Sequence, residues 1–374
     1  MKNPFRYGKP VTGEYFFKLN HLEKELDNYI KSALSVAIVG PRRFGKTSFL
    51  KNYLCEKREK GFAVIEIDAF NVVTHKDFLT QLINAIAKEK GAIKRFTDWL
   101  GEFKNIRSPL SCSANPSTGE MSISVELGNA SESDTKQAIL LSMDSMAKLS
   151  KKLIVSIDEF QRIGELDDGR WLEATLRSKM QEHDHVAFIF TGSRRSIIEE
   201  MFNHSSRPFY RSCKMMFFPL FGPEFTDWIV RRFSNVKINC DRLAIQYLRE
   251  QVEDTPHYVQ EVCFHLVSHG IKSITHESVD DVINIISSQS SYTYESLLNI
   301  LTPTQIKILR MLVLEGRISY SKYVRNKYEL KSASYIQSGI KSLVDKQIIE
   351  KDPGTRDISF DDPMFKIWLS KKLR

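Results

Sequence analysis

The sequence predicts an α/β fold in which a mostly parallel sheet carries helices on both faces, followed by a helical segment and a small C-terminal module. Three observations support this prediction. Short apolar runs alternate with helical patterns over the first 220 residues, which is typical of β-α-β units. A glycine-rich turn at residues 40–47 joins the first apolar run to a helix. Beyond residue 220, helical patterns replace the apolar runs.

Five apolar runs predict the strands of the sheet. Each run is short and almost continuously apolar, as expected for strands that a parallel sheet buries on both faces. Helical patterns such as residues 76–90 and 134–149 lie between them. The strands are predicted at residues 35–40, 62–69, 153–158, 186–191 and 214–220. These elements predict an α/β domain over residues 1–220.

An insertion between the second and third strands predicts a β-hairpin over residues 109–127. Asn115-Pro-Ser-Thr-Gly119 has the composition of a turn, and residues 121–127 alternate between apolar and polar. The sequence leaves two roles open for this hairpin, a surface decoration or an element that docks a partner.

The turn Gly40-Pro-Arg-Arg-Phe-Gly-Lys-Thr47 matches G-x-x-x-x-G-K-[ST] and has the preceding strand and following helix that a phosphate-binding P-loop requires. Its two glycines let backbone N–H groups converge on a phosphate and leave no Cβ in its way. Lys46 can reach the β- and γ-phosphates, and the Thr47 hydroxyl can ligate Mg²⁺. The predicted nucleotide-binding residues of this loop are Gly40, Pro41, Arg42, Arg43, Phe44, Gly45, Lys46, Thr47 and Ser48.

A second apolar strand, residues 153–158, ends in the carboxylates Asp158 and Glu159. Functional groups of parallel sheets lie just beyond the carboxyl ends of the strands. Asp158 is predicted to hold Mg²⁺ together with Thr47, and Glu159 is predicted to orient or deprotonate the attacking water. The P-loop and this strand together predict a site that hydrolyses a nucleotide.

Four helical patterns after the sheet predict a helical lid over residues 221–296, and the strands are expected to stop after Pro219. The helices are predicted at residues 223–233, 240–251, 256–269 and 277–287. Pro256 then lies in the first turn of the third helix, where its missing N–H costs nothing.

Residues 297–374 predict a winged helix-turn-helix. Helical patterns at residues 302–315, 320–328 and 332–346 are followed by a hairpin around Pro353-Gly354. From residue 298 onward, fifteen Lys or Arg residues face eight Asp or Glu residues, and this segment carries most of the chain's net charge of +8. This excess favours a polyanion such as double-stranded DNA as a partner.

The third of these helices is the predicted recognition helix. Ser334, Gln337, Ser338 and Lys341 avoid its apolar face and could meet a major groove. The residues predicted to meet phosphates are Lys331, Arg325, Lys327 and Arg356. A winged domain that binds a partner protein instead of DNA is the alternative.

The bulk composition excludes several classes of protein. Five scattered cysteines without C-x-x-C pairing favour reduced thiols in the cytoplasm over a disulfide framework or a zinc site. The chain has no apolar stretch of membrane-spanning length and no signal-peptide pattern, so no membrane association is expected. His183 and His185 are read as part of a surface turn.

The chain resembles the archaeal-type P-loop ATPases, a group within the STAND branch of the AAA+ superfamily. The resemblance rests on the P-loop and on motifs that span almost the whole length. These motifs are Asn3-Pro-Phe-Arg-Tyr-Gly8, Thr12-Gly-Glu-Tyr-Phe-Phe17, Ile157-Asp-Glu-Phe-Gln161, Phe190-Thr-Gly-Ser193, Arg207-Pro-Phe-Tyr-Arg211, Phe217-Phe-Pro-Leu220, Thr255-Pro-His-Tyr-Val259 and Asp362-Pro-Met-Phe-Lys-Ile-Trp368. The chain departs from the family pattern at Asn20, where an arginine is usual, and at Asp254, which precedes Thr255-Pro256 in place of a glycine.

The resemblance implies a P-loop NTPase fold and further site residues. Thr191 or Ser193 would be the polar sensor beside the γ-phosphate, on a strand between those that lead to Lys46 and Asp158. Arg211, with Arg207 second, would be a phosphate-sensing or finger arginine, and a finger acting on a neighbour would require a homo-oligomer.

The nucleotide is expected to be ATP, because the guanine-selecting Asn-Lys-x-Asp pattern is missing. The resemblance implies that Phe5 and Tyr7 lie near the adenine and that Pro256 belongs to the lid motif.

Two functions remain open from the sequence. The leading one is an ATP-binding and ATP-hydrolysing switch, with ATP and Mg²⁺ as cofactors, whose nucleotide state controls a DNA-binding winged helix. The alternative is an ATP-dependent scaffold that regulates a partner effector without binding DNA.

Overall fold

A five-stranded parallel sheet lies at the centre of the first half of the chain. The computed structural model describes residues 2–89, 111–114, 121–124, 131–352, 355 and 357–373. The five strands of the sheet occupy the five predicted apolar runs. In chain order, the strands of this half are β1 (Val36–Val39), β2 (Ala63–Asp68), β3 (Ser111–Ala114), β4 (Met121–Ser124), β5 (Leu153–Asp158), β6 (Val186–Gly192) and β7 (Lys214–Phe217).

The order of the strands in the sheet is β2-β5-β6-β1-β7, and every neighbouring pair is parallel. This arrangement confirms the α/β prediction. Strand β6 lies between β5, which ends in Asp158, and β1, which leads into the P-loop. Because the carboxyl ends of parallel strands meet at one edge of a sheet, the topology brings both motifs to the same edge.

Strands β3 and β4 are outside this sheet and pair with each other in antiparallel fashion. They lie within the insertion where a hairpin is predicted. The turn residues 115–120 lie outside the described residues.

Helices connect the strands and cover the sheet. Two of them begin at capping boxes, in which Thr74 pairs with Asp77 and Ser131 pairs with Asp134. The core beside the sheet contains a group of phenylalanine rings, with the Phe160 and Phe190 centroids 4.4 Å apart. The helices are α1 (Asn20–Lys31), α2 (Lys46–Glu59), α3 (His75–Lys88), α4 (Glu132–Ala147), α5 (Gln161–Gly164), α6 (Gly169–Glu182) and α7 (Arg195–Asn203).

The chain divides into two compact units, here called the sheet unit (Thr12–Pro219) and the helical unit (Met1–Val11 with Leu220–Arg374). The first eleven residues, predicted above as part of the α/β domain, therefore belong with the C-terminal residues. The reason is packing, because the Phe5 ring lies 4.8 Å from that of Phe233, and Asn3 Nδ2 donates to the carbonyl of Phe264 at 2.9 Å.

The helical unit begins with five helices. The predicted end of strand structure at Pro219 is wrong in one detail, because β8 (Asn239–Cys240) and β9 (Ser273–Ile274) form a two-residue parallel pair. The fifth helix was not predicted. The helices are α8 (Pro223–Asn235), α9 (Arg242–Gln251), α10 (Pro256–Ser268), α11 (His276–Gln289) and α12 (Ser291–Asn299). None of the helices in the described ranges has the length and apolar character needed to cross a bilayer.

The end of the chain forms the predicted winged helix, here called the winged module. Its third helix buries Ile336, Ile340 and Leu343, the spacing expected for one apolar face. A final helix closes the module. The elements are α13 (Pro303–Glu315), α14 (Lys322–Lys327), α15 (Ala333–Asp345), the antiparallel strands β10 (Ile349–Lys351) and β11 (Ile358–Phe360), and α16 (Pro363–Lys372).

Asp362 joins the winged module to the preceding helices. Its carboxylate caps α16 by accepting the backbone N–H of Met364 at 2.9 Å. The same carboxylate accepts the hydroxyl of Tyr258, which lies in α10, at 2.7 Å, and that of Tyr294, which lies in α12, at 3.5 Å. The module is therefore held to helices α10 and α12 within one unit.

Candidate functional site

Two residues of the P-loop adopt the left-handed backbone conformation. Arg43 has a φ of 63° and Gly45 a φ of 90°, both in the left-handed region. Helix α2 begins directly after Gly45, at Lys46. A Cβ added to Gly45 would have no heavy atom within 4 Å, so the loop is open on that side. The helix start and the open loop form an arrangement suited to a phosphate group.

Gly40 is required for a different reason than the sequence suggests. A Cβ at this position would lie 2.6 Å from Cβ of Phe218, and the Phe218 N–H donates to the carbonyl of Val39 at 2.7 Å. The absence of a side chain therefore lets the segment after β7 close onto the start of the P-loop. This packing could not be read from the motif.

The Lys46 side chain is bound within its own loop. Its Nζ atom donates to the carbonyls of Gly40 at 2.8 Å and Pro41 at 2.7 Å. The side chain is 6% exposed. The ammonium group is thus held at the loop, where it is predicted to meet the β- and γ-phosphates.

Asp158 lies at the centre of the candidate site. The Thr47 hydroxyl donates to its Oδ2 atom at 2.8 Å, and the Thr191 hydroxyl donates to its Oδ1 atom. Residues from α2, β5 and β6 therefore meet at one carboxylate. Mg²⁺ prefers hard oxygen ligands, and the adjoining oxygens of Thr47 and Asp158 fit that preference.

Glu159 has an unusual backbone and two side-chain partners. Its φ of 52° is in the left-handed region, where a non-glycine residue costs free energy. Its Oε2 atom accepts the Ser193 hydroxyl at 2.8 Å and the Nε2 group of Gln161. Ser193 and Thr191 thus bind different carboxylates, and both lie at the end of β6 or just beyond it.

Gln161 is a site residue to which the sequence assigned no role. It is 1% exposed, and its Oε1 atom has no hydrogen-bond partner among the described residues. A Cβ on Gly192 would lie 2.4 Å from that oxygen, so the glycine leaves room for the amide. Its position two residues after Glu159, as the last residue of the motif that begins at Ile157, is the sequence feature that could have identified it.

Arg207 is held in a buried ion pair, which removes it as a candidate for a finger arginine. Its Nη2 atom lies 2.7 Å from Oε1 of Glu173, and the Glu173 side chain is fully buried. Arg211, in contrast, is exposed, with its guanidinium 5.2 Å from the centre of the Tyr210 ring and a φ of 51°. Its assignment as a finger stays a prediction.

Glu173 predicts a pH dependence of stability. Burial raises the pKa of Glu173 to about 7, against the opposing effect of Arg207. As the pH rises, this carboxyl ionises in the unfolded chain before it ionises in the folded protein. Its contribution to the free energy of unfolding is therefore full below about pH 4.5 and is lost as the pH rises to about 7. We expect thermal unfolding to show that, between pH 4.5 and 8, the free energy of unfolding of wild type falls by on the order of 1 to 3 kcal/mol relative to that of Glu173→Gln.

The control is Glu200→Gln, which removes an exposed carboxylate 3.9 Å from Nη1 of the same arginine. This variant should lose nearly as much stability as wild type over the same pH range, because Glu200 makes only the smallest of the contributions that shift the pKa of Glu173. Parallel curves for wild type and Glu173→Gln would contradict the prediction.

The residues predicted near the adenine lie in the helical unit. Phe5 is fully buried against Phe233 and Trp228, so its ring supports the core and offers no surface to a nucleotide. The Tyr7 hydroxyl lies 3.1 Å from Nε2 of His265, and Pro256 is the first residue of α10. Nucleotide contacts by Tyr7 and Pro256 stay predictions.

Asp254 occupies the position where the family pattern has glycine. It adopts the left-handed conformation that glycine favours, with a φ of 51°. Arg249 holds its carboxylate with two hydrogen bonds, from Nε at 2.6 Å and Nη2 at 2.8 Å. An ion pair thus supports the turn before Pro256.

The winged module presents most of its predicted DNA contacts to solvent. Lys327 differs, since it is paired with Glu315 at 2.6 Å. Arg356 lies outside the described residues, as do Pro353 and Gly354. Arg325 is partly buried, and the residues exposed besides Lys327 are Lys331, Ser334, Gln337, Ser338 and Lys341.

The turn that contains His183 brings it close to Asp144 and Glu182. The ammonium of Lys179 lies 2.7 Å from Asp144 and 2.6 Å from Glu182. Because a lysine occupies the position between the two carboxylates, this group is an ion-pair cluster, in keeping with the surface turn predicted for His183.

Two family models match the chain. One, described as "ATPase domain predominantly from Archaea", matches residues 18–220, and the other, "Probable winged helix domain", matches residues 292–371. No curated protein sequence matches. The family matches confirm the predicted ATPase domain and C-terminal winged helix.

Several solved structures share the fold. A Walker-type ATPase of Pyrococcus abyssi has a TM-score of 0.65 at 16% identity, over 95% of this chain and 96% of that chain. The ORC2 protein of Aeropyrum pernix, in ADPNP-ADP complexes, has a TM-score of 0.53 at 15% identity, over 95% and 91%. The ORC1 protein of Aeropyrum pernix, in complex with DNA, has a TM-score of 0.51 at 14% identity, over 95% and 93%. At these identities the likeness shows the fold alone.

Proposed function

This chain belongs to the family of ATPase domains found predominantly in Archaea, and from that premise we propose that it is an ATP-hydrolysing switch whose winged module binds double-stranded DNA. Family and fold support ATP hydrolysis. The observation that carries the site assignment is the hydrogen bond from Thr47 of the P-loop to Asp158 of β5, with Glu159 next in the chain.

The catalytic roles follow from the positions of the side chains. Lys46 and the N–H groups at the start of α2 bind the phosphates, while Thr47 and Asp158 hold Mg²⁺. When bound, Mg²⁺ neutralises part of the phosphate charge. Glu159 accepts a proton from the attacking water or orients it, and Ser193 and Gln161 hold its carboxylate.

Arg211 is proposed as the arginine that senses the phosphate of its own or a neighbouring copy. If a neighbour is required, hydrolysis will depend on assembly into a homo-oligomer. The STAND assignment and a cytoplasmic location belong to the same proposal.

The proposed switch carries a change at the lid motif to the winged module. Tyr258 lies two residues after Pro256 and donates to Asp362 at the start of the final helix. A nucleotide that alters the start of α10 would thereby alter the module. A ligand can shift such an equilibrium only through contacts that differ between the two states, and Tyr7 and Pro256 are the candidates for them.

The basic charge and the exposed polar residues of α15 support DNA as the partner. Lys331 and Lys341 are exposed, and the segment from residue 298 carries fifteen basic and eight acidic residues. Among proteins of this fold, ORC1 of Aeropyrum pernix has been solved in complex with DNA.

The test is steady-state ATP hydrolysis with and without double-stranded DNA, with Lys46→Ala as the blank. We expect DNA to stimulate hydrolysis. With four predicted phosphate contacts, the apparent DNA affinity should fall roughly 100-fold between 50 and 200 mM salt. The double variant Lys331→Ala with Lys341→Ala should lose the stimulation, since it removes one predicted phosphate contact and one predicted major-groove contact.

The matched control is Lys237→Ala with Lys272→Ala, which removes the same charge from two exposed lysines of the helical unit outside the winged module. It should retain stimulation. Hydrolysis that is indifferent to DNA at low salt would reject the DNA-linked switch and direct attention to a protein partner.

A further inference from the structure

Tyrosines and basic residues alternate in the segment 320–335, which leads from the second to the third helix of the winged module. The segment contains four tyrosines, four basic residues and one acidic residue. Tyr328 is buried, and its hydroxyl donates to Glu315 at 2.7 Å. The other three tyrosines are exposed to solvent, with exposed fractions of 43% for Tyr320, 79% for Tyr323 and 50% for Tyr335. These three exposed tyrosines, which lie within sixteen residues of the chain, are here called the tyrosine face.

Packing does not explain the tyrosine face. A single exposed aromatic side chain is ordinary on a protein surface, but a local group of three is an unusual use of apolar area. Tyr328 shows how the same segment treats a structural tyrosine, with a buried ring and a satisfied hydroxyl. The exposed rings are therefore available to a ligand.

Positive charge lies beside the ring of one of these tyrosines and beside the backbone of another. Lys331 Nζ is 5.8 Å from the centre of the Tyr335 ring, and Arg325 Nε donates to the carbonyl of Tyr320 at 3.1 Å. Glu329, the one acidic residue of the segment, is paired with Lys307 at 2.6 Å. Its charge is thus offset, as Glu315 offsets that of Lys327, and the segment keeps a net positive charge from Lys322, Arg325 and Lys331.

The adjoining surface of α15 is poorly equipped to read a base sequence. Its exposed positions include Ser334, Gln337, Ser338 and Lys341. Neither arginine nor asparagine is among them, which leaves Gln337 and Lys341 as the main side chains of this set that can read a base. Flat rings, in contrast, stack on any base, and aromatic rings combined with basic side chains are typical of surfaces that bind single-stranded nucleic acid.

We infer that the tyrosine face stacks on unpaired DNA bases while Arg325 and Lys331 contact the adjoining phosphates, so that the favoured substrate is duplex DNA with a single-stranded tail. This inference rests on the proposed DNA-binding function and specifies its substrate. Arg325 and Lys331 provide the charge for phosphates, and Tyr323, the most exposed of the three rings, provides the main stacking surface.

The test measures binding of the full chain to labelled DNA by fluorescence anisotropy at one fixed salt concentration. The probes are a blunt duplex, the same duplex with a single-stranded tail, the single strand, and RNA of the same sequence. We expect the tailed duplex to bind about tenfold more tightly than the blunt one. A 2-aminopurine base in the tail should lose fluorescence as it stacks.

Paired substitutions separate stacking from hydrogen bonding. Tyr323→Ala and Tyr335→Ala should each weaken binding to the tail by about tenfold or more, while Tyr323→Phe, which keeps the ring and loses the hydroxyl, should bind like wild type. Tyr292→Ala is the matched control, because Tyr292 is 83% exposed and lies outside the segment. It should leave binding unchanged.

The outcomes distinguish this inference from the proposed function. Equal affinity for blunt and tailed DNA, or equal losses for Tyr323→Phe and Tyr323→Ala, would overturn stacking and leave duplex binding intact. Tighter binding to RNA than to any DNA probe would overturn the choice of DNA. If none of the probes binds, both proposals are rejected and a protein partner is favoured for the tyrosine face.

Discussion

Replacing Glu159 with glutamine is expected to lower kcat for ATP hydrolysis by about 100- to 1,000-fold while ATP still binds. Glutamine keeps the size of the side chain and can still accept from Ser193, but an amide cannot take a proton from water. General-base assistance contributes roughly this factor in many enzymes. The measurement combines single-turnover hydrolysis with a direct ATP-binding titration, in which Kd should change by less than about threefold.

The control for this variant is Asp167→Asn, which neutralises an exposed carboxylate eight residues further along the chain. It should hydrolyse ATP like wild type. If Glu159→Gln keeps more than a tenth of the wild-type rate, the assignment of Glu159 as the catalytic carboxylate is wrong. Loss of ATP binding would instead indicate that the glutamate is needed to shape the loop.

Replacing Lys46 with alanine is expected to lower kcat/KM by about 100- to 1,000-fold and to weaken ATP binding as well. The ammonium group is the charge predicted to neutralise the β- and γ-phosphates, and removal of one such preorganised group typically has an effect of this size. Steady-state hydrolysis and ATP titration, measured side by side, test both parts.

Lys46 also has a structural role, since its Nζ atom bonds the carbonyls of Gly40 and Pro41. Thermal unfolding of Lys46→Ala must therefore accompany the kinetics. Lys51→Ala is the matched control, because Lys51 is exposed on the same helix. A properly folded Lys46→Ala variant with activity within threefold of wild type would rule out the proposed phosphate site.

Much of the fold could be predicted because local patterns determine it. The five strands of the sheet are apolar runs that a parallel sheet must bury, and the P-loop motif specifies its own strand and helix. The additional two-residue pair formed by β8 and β9 could not be predicted, because it is too short for any periodicity. Helix α12 follows α11 after a single residue, so no break in pattern marks it.

The candidate site was predictable as a set of motifs but not as a set of contacts. Motif spacing identified Lys46, Thr47, Asp158 and Glu159 as chemistry-bearing residues. The hydrogen bonds that tie Thr47 to Asp158 and Gln161 to Glu159 depend on the order of the strands and on a left-handed turn at Glu159. Those features come from tertiary packing.

The sequence by itself determined the α/β class, the P-loop, the carboxylate pair and the basic winged module, because each depends on residues close together in the chain. Only the tertiary structure decided that Arg207 pairs with a buried glutamate, that Gly40 makes room for Phe218, and that the N-terminal residues pack with the helical unit. The physical reason is distance along the chain. Contacts between residues tens to hundreds of positions apart arise only when the core closes, and no local pattern encodes which partners then meet.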